Sequence, residues 1–152
     1  MIAVGKKAPE FSLPADDGST ISLADLKGRK VVLFFYPKDD TPGCTTESCE
    51  LRDSWSAITA AGALVLGVSP DSVASHAKFS SKFSFPFRLL ADTDHTMAEA
   101  YGAWGEKSMY GKKYWGILRT TFLLDEQGKV EHIFEKVKPK GHAAEVLEVL
   151  RG

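Results

Sequence analysis

The chain has only two cysteines among its 152 residues, Cys44 and Cys49. That excludes a disulfide-stapled secreted scaffold, and in a reducing compartment such residues are reactive or incidental rather than structural. Charge of one sign is also missing: 19 Lys and Arg are interspersed with 20 Asp and Glu, for a formal net charge of -1. This leaves no basic footprint for nucleic acid and none for an anionic membrane surface. Long hydrophobic runs are absent. The two longest, Val31 to Tyr36 and Ala63 to Val68, fall far short of the ~20 residues a membrane-spanning helix needs and read as buried strands. Met1 to Phe11 carries Lys6 and Lys7 with no apolar stretch behind them, so no secretory leader is expected and the predicted compartment is the cytoplasm. Repeats, low-complexity tracts and Pro-, Gly- or Ser-rich linkers are lacking, which predicts a single domain over residues 1–152.

What is present is an ordinary globular composition, 43% hydrophobic and 26% charged, at a length that buries a core of its own. Glu10 to Pro14 and Ser19 to Ser22 flank Asp17-Gly18, a pair suited to positive φ, and predict an opening hairpin. Ser22 then caps a short turn over Leu23 to Leu26, with Gly28 closing it. Val31 to Tyr36 is a continuous β-favouring run and suits a central strand covered on both faces. Helical spacing follows from Gly43 to Ala61, stopped by Gly62. Strand, helix and strand are expected at Ala63 to Ser69, around Val73 to Phe79, and at Phe87 to Leu90, with a helical His95 to Tyr101. Gly102 to Trp115 shows no periodicity and reads as a loop whose aromatics Tyr101, Trp104, Tyr110 and Trp115 form a substrate or reductant surface or, the favoured role, pack beneath it. Ile117 to Asp125 and Val130 to Lys136 form a second hairpin, and Gly141 to Arg151 a closing helix. The alternation predicts an α/β sandwich around a mixed sheet.

The chemistry concentrates in Pro37-Lys38-Asp39-Asp40-Thr41-Pro42-Gly43-Cys44, where the chain leaves a buried strand and starts a helix. Thr41 is placed as N-cap and Pro42 at the first helical position, where its fixed φ fits and its missing N–H costs nothing. Cys44 then falls third in the helix, beside free backbone N–H groups and the positive end of the dipole, which favour a thiolate. Gly43 leaves room for a ligand. A random cysteine is more often a packing residue, but a nucleophile beyond the carboxyl end of a strand is where open α/β folds place their sites. Cys49 lies five residues on, and an intact helix would hold the two Cα atoms roughly 8.7 Å apart, beyond the ~7 Å that a disulfide tolerates. If the two react together, the helix must first unwind; a plain helix-face role carries equal weight. Arg119 is a permanent cation inside an otherwise core-type strand, and needs an anionic partner: a carboxylate such as Glu47 or Asp125, or the Cys44 thiolate with a substrate oxygen.

Phe35-Tyr36-Pro37 with Thr41 and Cys44 resembles the active-site signature of peroxiredoxins, and Cys49 makes the chain similar to the peroxiredoxin Q branch, also called bacterioferritin comigratory protein. Phe11-Ser12-Leu13-Pro14, Asp71-Ser72 before Ser75-His76, Trp104-Gly105-Glu106-Lys107 and Arg119 before Thr121-Phe122-Leu123 extend the resemblance over nearly the whole chain. It implies a thioredoxin-like fold, a mixed central β-sheet flanked by helices with an N-terminal β-hairpin extension. It implies Cys44 as peroxidatic nucleophile, Cys49 as resolving cysteine, Thr41 and Arg119 as groups that orient and polarise a peroxide, and Pro37 as a shield over the thiolate. It further implies reduction by thioredoxin or a similar dithiol, with no metal, haem or flavin. The C-terminal resolving cysteine, Gly-Gly-Leu-Gly segment and C-terminal Tyr-Phe of the dimeric two-cysteine enzymes are missing, which favours intrachain resolution and a monomer.

Activating a thiol does not by itself make a fast peroxidase. Lowering its pKa from ~8.5 to ~6 raises the thiolate fraction at pH 7 only ~30-fold, and lower basicity weakens the nucleophile. Most of the acceleration must then come from aligning the peroxide and stabilising charge on its leaving oxygen. Two rival readings differ in class. A thioredoxin-type thiol-disulfide oxidoreductase would carry Cys-x-x-Cys, whereas Glu47 stands three after Cys44. A metal-binding or non-catalytic interaction module is the other: the first would join Cys44 and Cys49 with some of His76, His95, His132 and His142, none of which has finger-like spacing, and the second is opposed by the intact set of Thr41, Cys44 and Arg119.

Overall fold

The computed structural model describes residues 2–152. Its centre is a five-stranded sheet in the order β5 (Arg88–Ala91), β4 (Ala63–Ser69), β3 (Lys30–Phe35), β8 (Thr120–Leu124), β9 (Val130–Phe134). β3, β4 and β5 run parallel, while β8 and β9 join antiparallel. β3 explains the arrangement. Every side chain from Val31 to Phe35 is buried, and alternate residues feed different cores: Val31, Leu33 and Phe35 on one face, Val32 and Phe34 on the other. A strand with two apolar faces is stable only when both are covered.

One face is covered by α1 (Pro42–Asp53), α2 (Trp55–Ala60), α3 (Val73–Phe83) and α5 (His142–Arg151), which contribute Leu51, Ile58, Phe79 and Val146 to its core. The other is covered by α4 (Thr96–Ala100), a 3-10 turn at Leu23–Leu26 and the opening hairpin of β1 (Ser12–Pro14) and β2 (Thr20–Ser22). This is the expected thioredoxin-like architecture with an N-terminal hairpin.

Three expectations need correction. The single helix from Gly43 to Ala61 is two, broken at Ser54, whose φ of -94° and ψ of 4° leave helical geometry. The supposed loop from Gly102 to Trp115 is largely a hairpin of β6 (Trp104–Met109) and β7 (Lys112–Ile117). Its turn is Tyr110-Gly111, both at positive φ, as a tight two-residue connection requires. Tyr110 and Trp115 do not pack under a loop but are 98% and 63% exposed. The strand predicted from Ile117 to Asp125 is interrupted: β7 ends at Ile117 and β8 starts at Thr120. Leu118 N–H pairs with Ala103, and the Arg119 carbonyl accepts from Val137 N–H. Arg119 therefore sits at a break between strands, where its side chain is free to turn toward α1.

Candidate active site

β3 ends against β4 with Tyr36 N–H on the Val68 carbonyl, and the chain must reverse before α1. Thr41 is the N-cap, in extended conformation, and Pro42 opens the helix, so Cys44 is third in α1 as expected. Its side chain is buried. Thr41 does not cap in the usual manner: its hydroxyl donates to the Lys38 carbonyl at 2.8 Å. The helix-start N–H groups are thus left without this side chain, and Thr41 Oγ1, having spent its hydrogen, can only accept from a ligand.

Arg119 meets Cys44 directly. Its Nη2 donates to Cys44 Sγ at 3.1 Å and its Nη1 to Glu47 Oε1 at 2.8 Å. Both side chains weighed as partners for this cation, Cys44 and Glu47, are met at once; Asp125 instead accepts from Gln127 and Lys129 N–H in its own turn. A Cβ at Gly43 would stand 2.9 Å from Arg119 Nη2, so the missing side chain makes room for the guanidinium. Glu47 is 1% exposed. Burial raises its carboxyl to about 7, more than the Arg119 charge and hydrogen bond pull it down. Its Oε2, like Ser48 Oγ one residue on, is buried with no hydrogen-bond partner among the described residues.

Cys49 is half-buried at the edge of the same core. Burial holds its thiol above the ordinary value, against the nearby Arg52 charge. Both cysteines are free and lie in one unbroken helix, α1, so a bond between them requires α1 to unwind locally. Pro37 is half-buried at the exit of β3.

Lys107 on β6 is a neighbour that sequence reasoning passed over. It donates to the Ile117 carbonyl at 2.7 Å, and burial, then the Arg119 charge, hold its ammonium below the ordinary value. Together with Arg119, Leu118, Thr120, Phe122 and Ile133 it lines an open cleft of about 640 Å³ with a largely apolar wall. The Trp104-Gly105-Glu106-Lys107 match gave Lys107 no role, because its approach depends on the unforeseen β6–β7 hairpin. The histidines are not gathered at the cysteines. Among the described residues the one grouping of three potential metal ligands is Asp39, Asp71 and His76, which contains neither Cys44 nor Cys49.

A thiol third in a helix, beyond the carboxyl end of a central strand and held by an arginine, defines a thiol-based enzyme of the thioredoxin-like class. The AhpC/TSA family matches residues 4–133. Over 146 residues the chain is 56% identical to the putative peroxiredoxin bcp of Coxiella burnetii, covering 96% of this chain and 97% of that one. It is 49% identical to peroxiredoxin Bcp of Bacillus subtilis, covering 99% and 96%. Among solved structures, the bacterioferritin comigratory protein of Xanthomonas campestris, described for its alkyl peroxide reduction activity, superposes with a TM-score of 0.91 at 40% identity, over 98% of both chains. The chain belongs to the AhpC/TSA family, in its peroxiredoxin Q branch, and is a thiol peroxidase.

Proposed function

We propose that the protein reduces hydrogen peroxide and organic hydroperoxides through Cys44, resolves the product through Cys49, and is recycled by thioredoxin or a similar dithiol. The observation that carries this reading is the 3.1 Å contact of Arg119 Nη2 with Cys44 Sγ at the start of α1. The Cys44 thiolate attacks one oxygen of ROOH; the O–O bond breaks, the sulfur keeps that oxygen as sulfenic acid, and RO⁻ leaves and takes up a proton. Thr41 Oγ1 accepts the O–H of the bound hydroperoxide, a role its bond to Lys38 prepares. Arg119 and the free N–H groups of the first turn stabilise charge as the O–O bond lengthens, and Pro37 shields the thiolate. Cys49 then attacks the sulfenic sulfur, water leaves, and the disulfide is returned to two thiols as the external dithiol is oxidised.

The apolar wall of the cleft beside Arg119 supports an alkyl tail, in keeping with the alkyl peroxide reduction described for the Xanthomonas relative. The protein acts as a single domain, both cores lying on the two faces of one sheet, and as a monomer of the cytoplasm, where free thiols persist. No helix among the described residues is long and apolar enough to cross a membrane.

The test is a non-reducing peptide map with intact mass after one equivalent of hydrogen peroxide. Loss of two hydrogens with a Cys44–Cys49 crosslink is expected in the wild type, and a trapped Cys44 sulfenic acid in Cys49→Ser. Cys44 remaining a thiol in excess peroxide would end this reading.

A further inference from the structure

The turn that delivers Thr41 and Cys44 is fastened from behind by a buried polar network that the reaction itself does not use. Tyr36 Oη donates to Asp39 Oδ1 at 2.6 Å. Asp39 Oδ2 accepts from Ser75 Oγ at 2.7 Å and lies 2.7 Å from His76 Nδ1. The Asp39 N–H donates to Asp71 Oδ2, which also accepts from Ser69 Oγ. On the far side of the ring, His76 Nε2 is 2.9 Å from the Leu90 carbonyl. Tyr36 and His76 are fully buried and Asp39 nearly so. Asp39, Asp71 and His76 have the chemistry of metal ligands, but their facing atoms are spent on one another, on Asp39 N–H and on the Ser69 hydroxyl.

Donor counting fixes one further feature. A carbonyl only accepts, so Nε2 carries the hydrogen it gives to Leu90. In a singly protonated ring that leaves Nδ1 bare against a carboxylate oxygen at 2.7 Å, a contact between two acceptors. The contact holds only with one more proton between Nδ1 and Oδ2. Asp40, the next residue, is at φ 56°, a strained conformation for a residue with a side chain, which persists where its surroundings enforce it. Only Asp40 separates the anchored Asp39 from Thr41, so the anchor sets where Thr41 and the first turn of α1 stand.

We infer that the proton-bridged Asp39–His76 pair is a positioning device for the peroxidase reaction, holding the Tyr36–Thr41 turn so that Thr41 Oγ1 and the N–H groups of the α1 start stay aligned on a peroxide at Cys44. The inference rests on the reading of Cys44 as the nucleophile.

The test compares two reactions of Cys44 in the reduced full chain, oxidation by hydrogen peroxide and alkylation by iodoacetamide. Both consume the thiolate, but only the first needs an aligned peroxide. Asp39→Ala and His76→Ala should slow oxidation ~10- to 100-fold, the effect of misplacing a reacting pair by about 1 Å, with alkylation little changed. Asp39→Asn should restore most of the ratio: its amide N–H supplies the hydrogen to a bare Nδ1, and its amide oxygen still accepts from Tyr36. An unchanged ratio in the alanine variants, a parallel fall of both reactions, or an asparagine variant no better than alanine would each overturn the inference. Should the alanine variants not fold, Ser75→Ala removes one hydrogen bond from a half-buried hydroxyl and should lower the ratio ~5-fold; no change there is equally decisive against it. Wild-type Cys44 failing to oxidise at all would instead overturn the catalytic reading on which the inference rests.

Discussion

Two neighbouring stretches treat buried polar groups in opposite ways. In the Tyr36–Thr41 turn the Asp39 carboxylate faces three partners and its N–H a fourth group. In the first turns of α1, Glu47 Oε2 and Ser48 Oγ are buried without partners among the described residues, and the Thr41 hydroxyl turns away from the helix to Lys38. Each unmet buried group costs roughly 1–3 kcal/mol. The turn is therefore the more firmly held part, and the unmet groups lower the cost of opening α1. That difference suits an enzyme that must hold its peroxide still and then let Cys44 reach Cys49.

Arg119 is the point where rigid and loose regions meet, and removing it should give the largest effect. Arg119→Ala is expected to slow oxidation of Cys44 by hydrogen peroxide ~10²- to 10³-fold, the loss typical when a donor to a developing oxyanion is deleted. Iodoacetamide alkylation should fall by less than the ~30-fold that thiol activation can supply. Equal losses in the two rates would mean that Arg119 only promotes the thiolate, and would undo the division of labour proposed here.

Glu47 offers a smaller effect with a definite sign. Its carboxyl is raised to about 7 in the folded chain from an ordinary value of 4.5, so between these limits the folded state keeps a proton that the unfolded state has lost. Stability must then fall as pH rises through this window, by at most about 3 kcal/mol for this group. Glu47→Gln should flatten that slope, whatever it does to the absolute level. Melting temperatures of both proteins from pH 4.5 to 7.5 provide the check: parallel curves would show that Glu47 stays ionised on Arg119 throughout.

How far the sequence led depended on whether the signal was local. β3 and β4 were legible as unbroken apolar runs, and the start of α1 from Thr41-Pro42, because proline at a first helical position has one easy reading. The β6–β7 hairpin was not, since its strands are largely exposed, mix lysine with aromatics, and turn on Tyr110-Gly111 rather than the Asn-Gly or Asp-Gly that advertises a tight turn. Arg119 was identified as a cation in want of an anion, yet its release from the strand comes from pairing of Leu118 and Arg119 with Ala103 and Val137, contacts that no spacing within the segment contains. The Asp39–His76 pairing joins residues 37 apart; its members read singly as a turn residue and a helix-face histidine.

The smallest effect tests the looseness of α1 itself. Ser48 has its hydroxyl buried and unpartnered among the described residues, so Ser48→Ala removes a group that helps neither state of the thiol while raising helix propensity by a few tenths of a kcal/mol. The variant should be more stable by up to about 1 kcal/mol. If disulfide formation waits on opening of α1, that same increment should slow resolution up to ~5-fold without altering the first oxidation, because peroxide reacts with the folded helix. The slower sulfenic acid is then exposed longer to a second peroxide, and titration with excess hydrogen peroxide should convert more Cys44 to sulfinic acid per turnover than in the wild type. A stabilised variant that resolves as fast as the wild type would place the slow step after unwinding, and α1 would no longer be the gate between the rigid turn and Cys49.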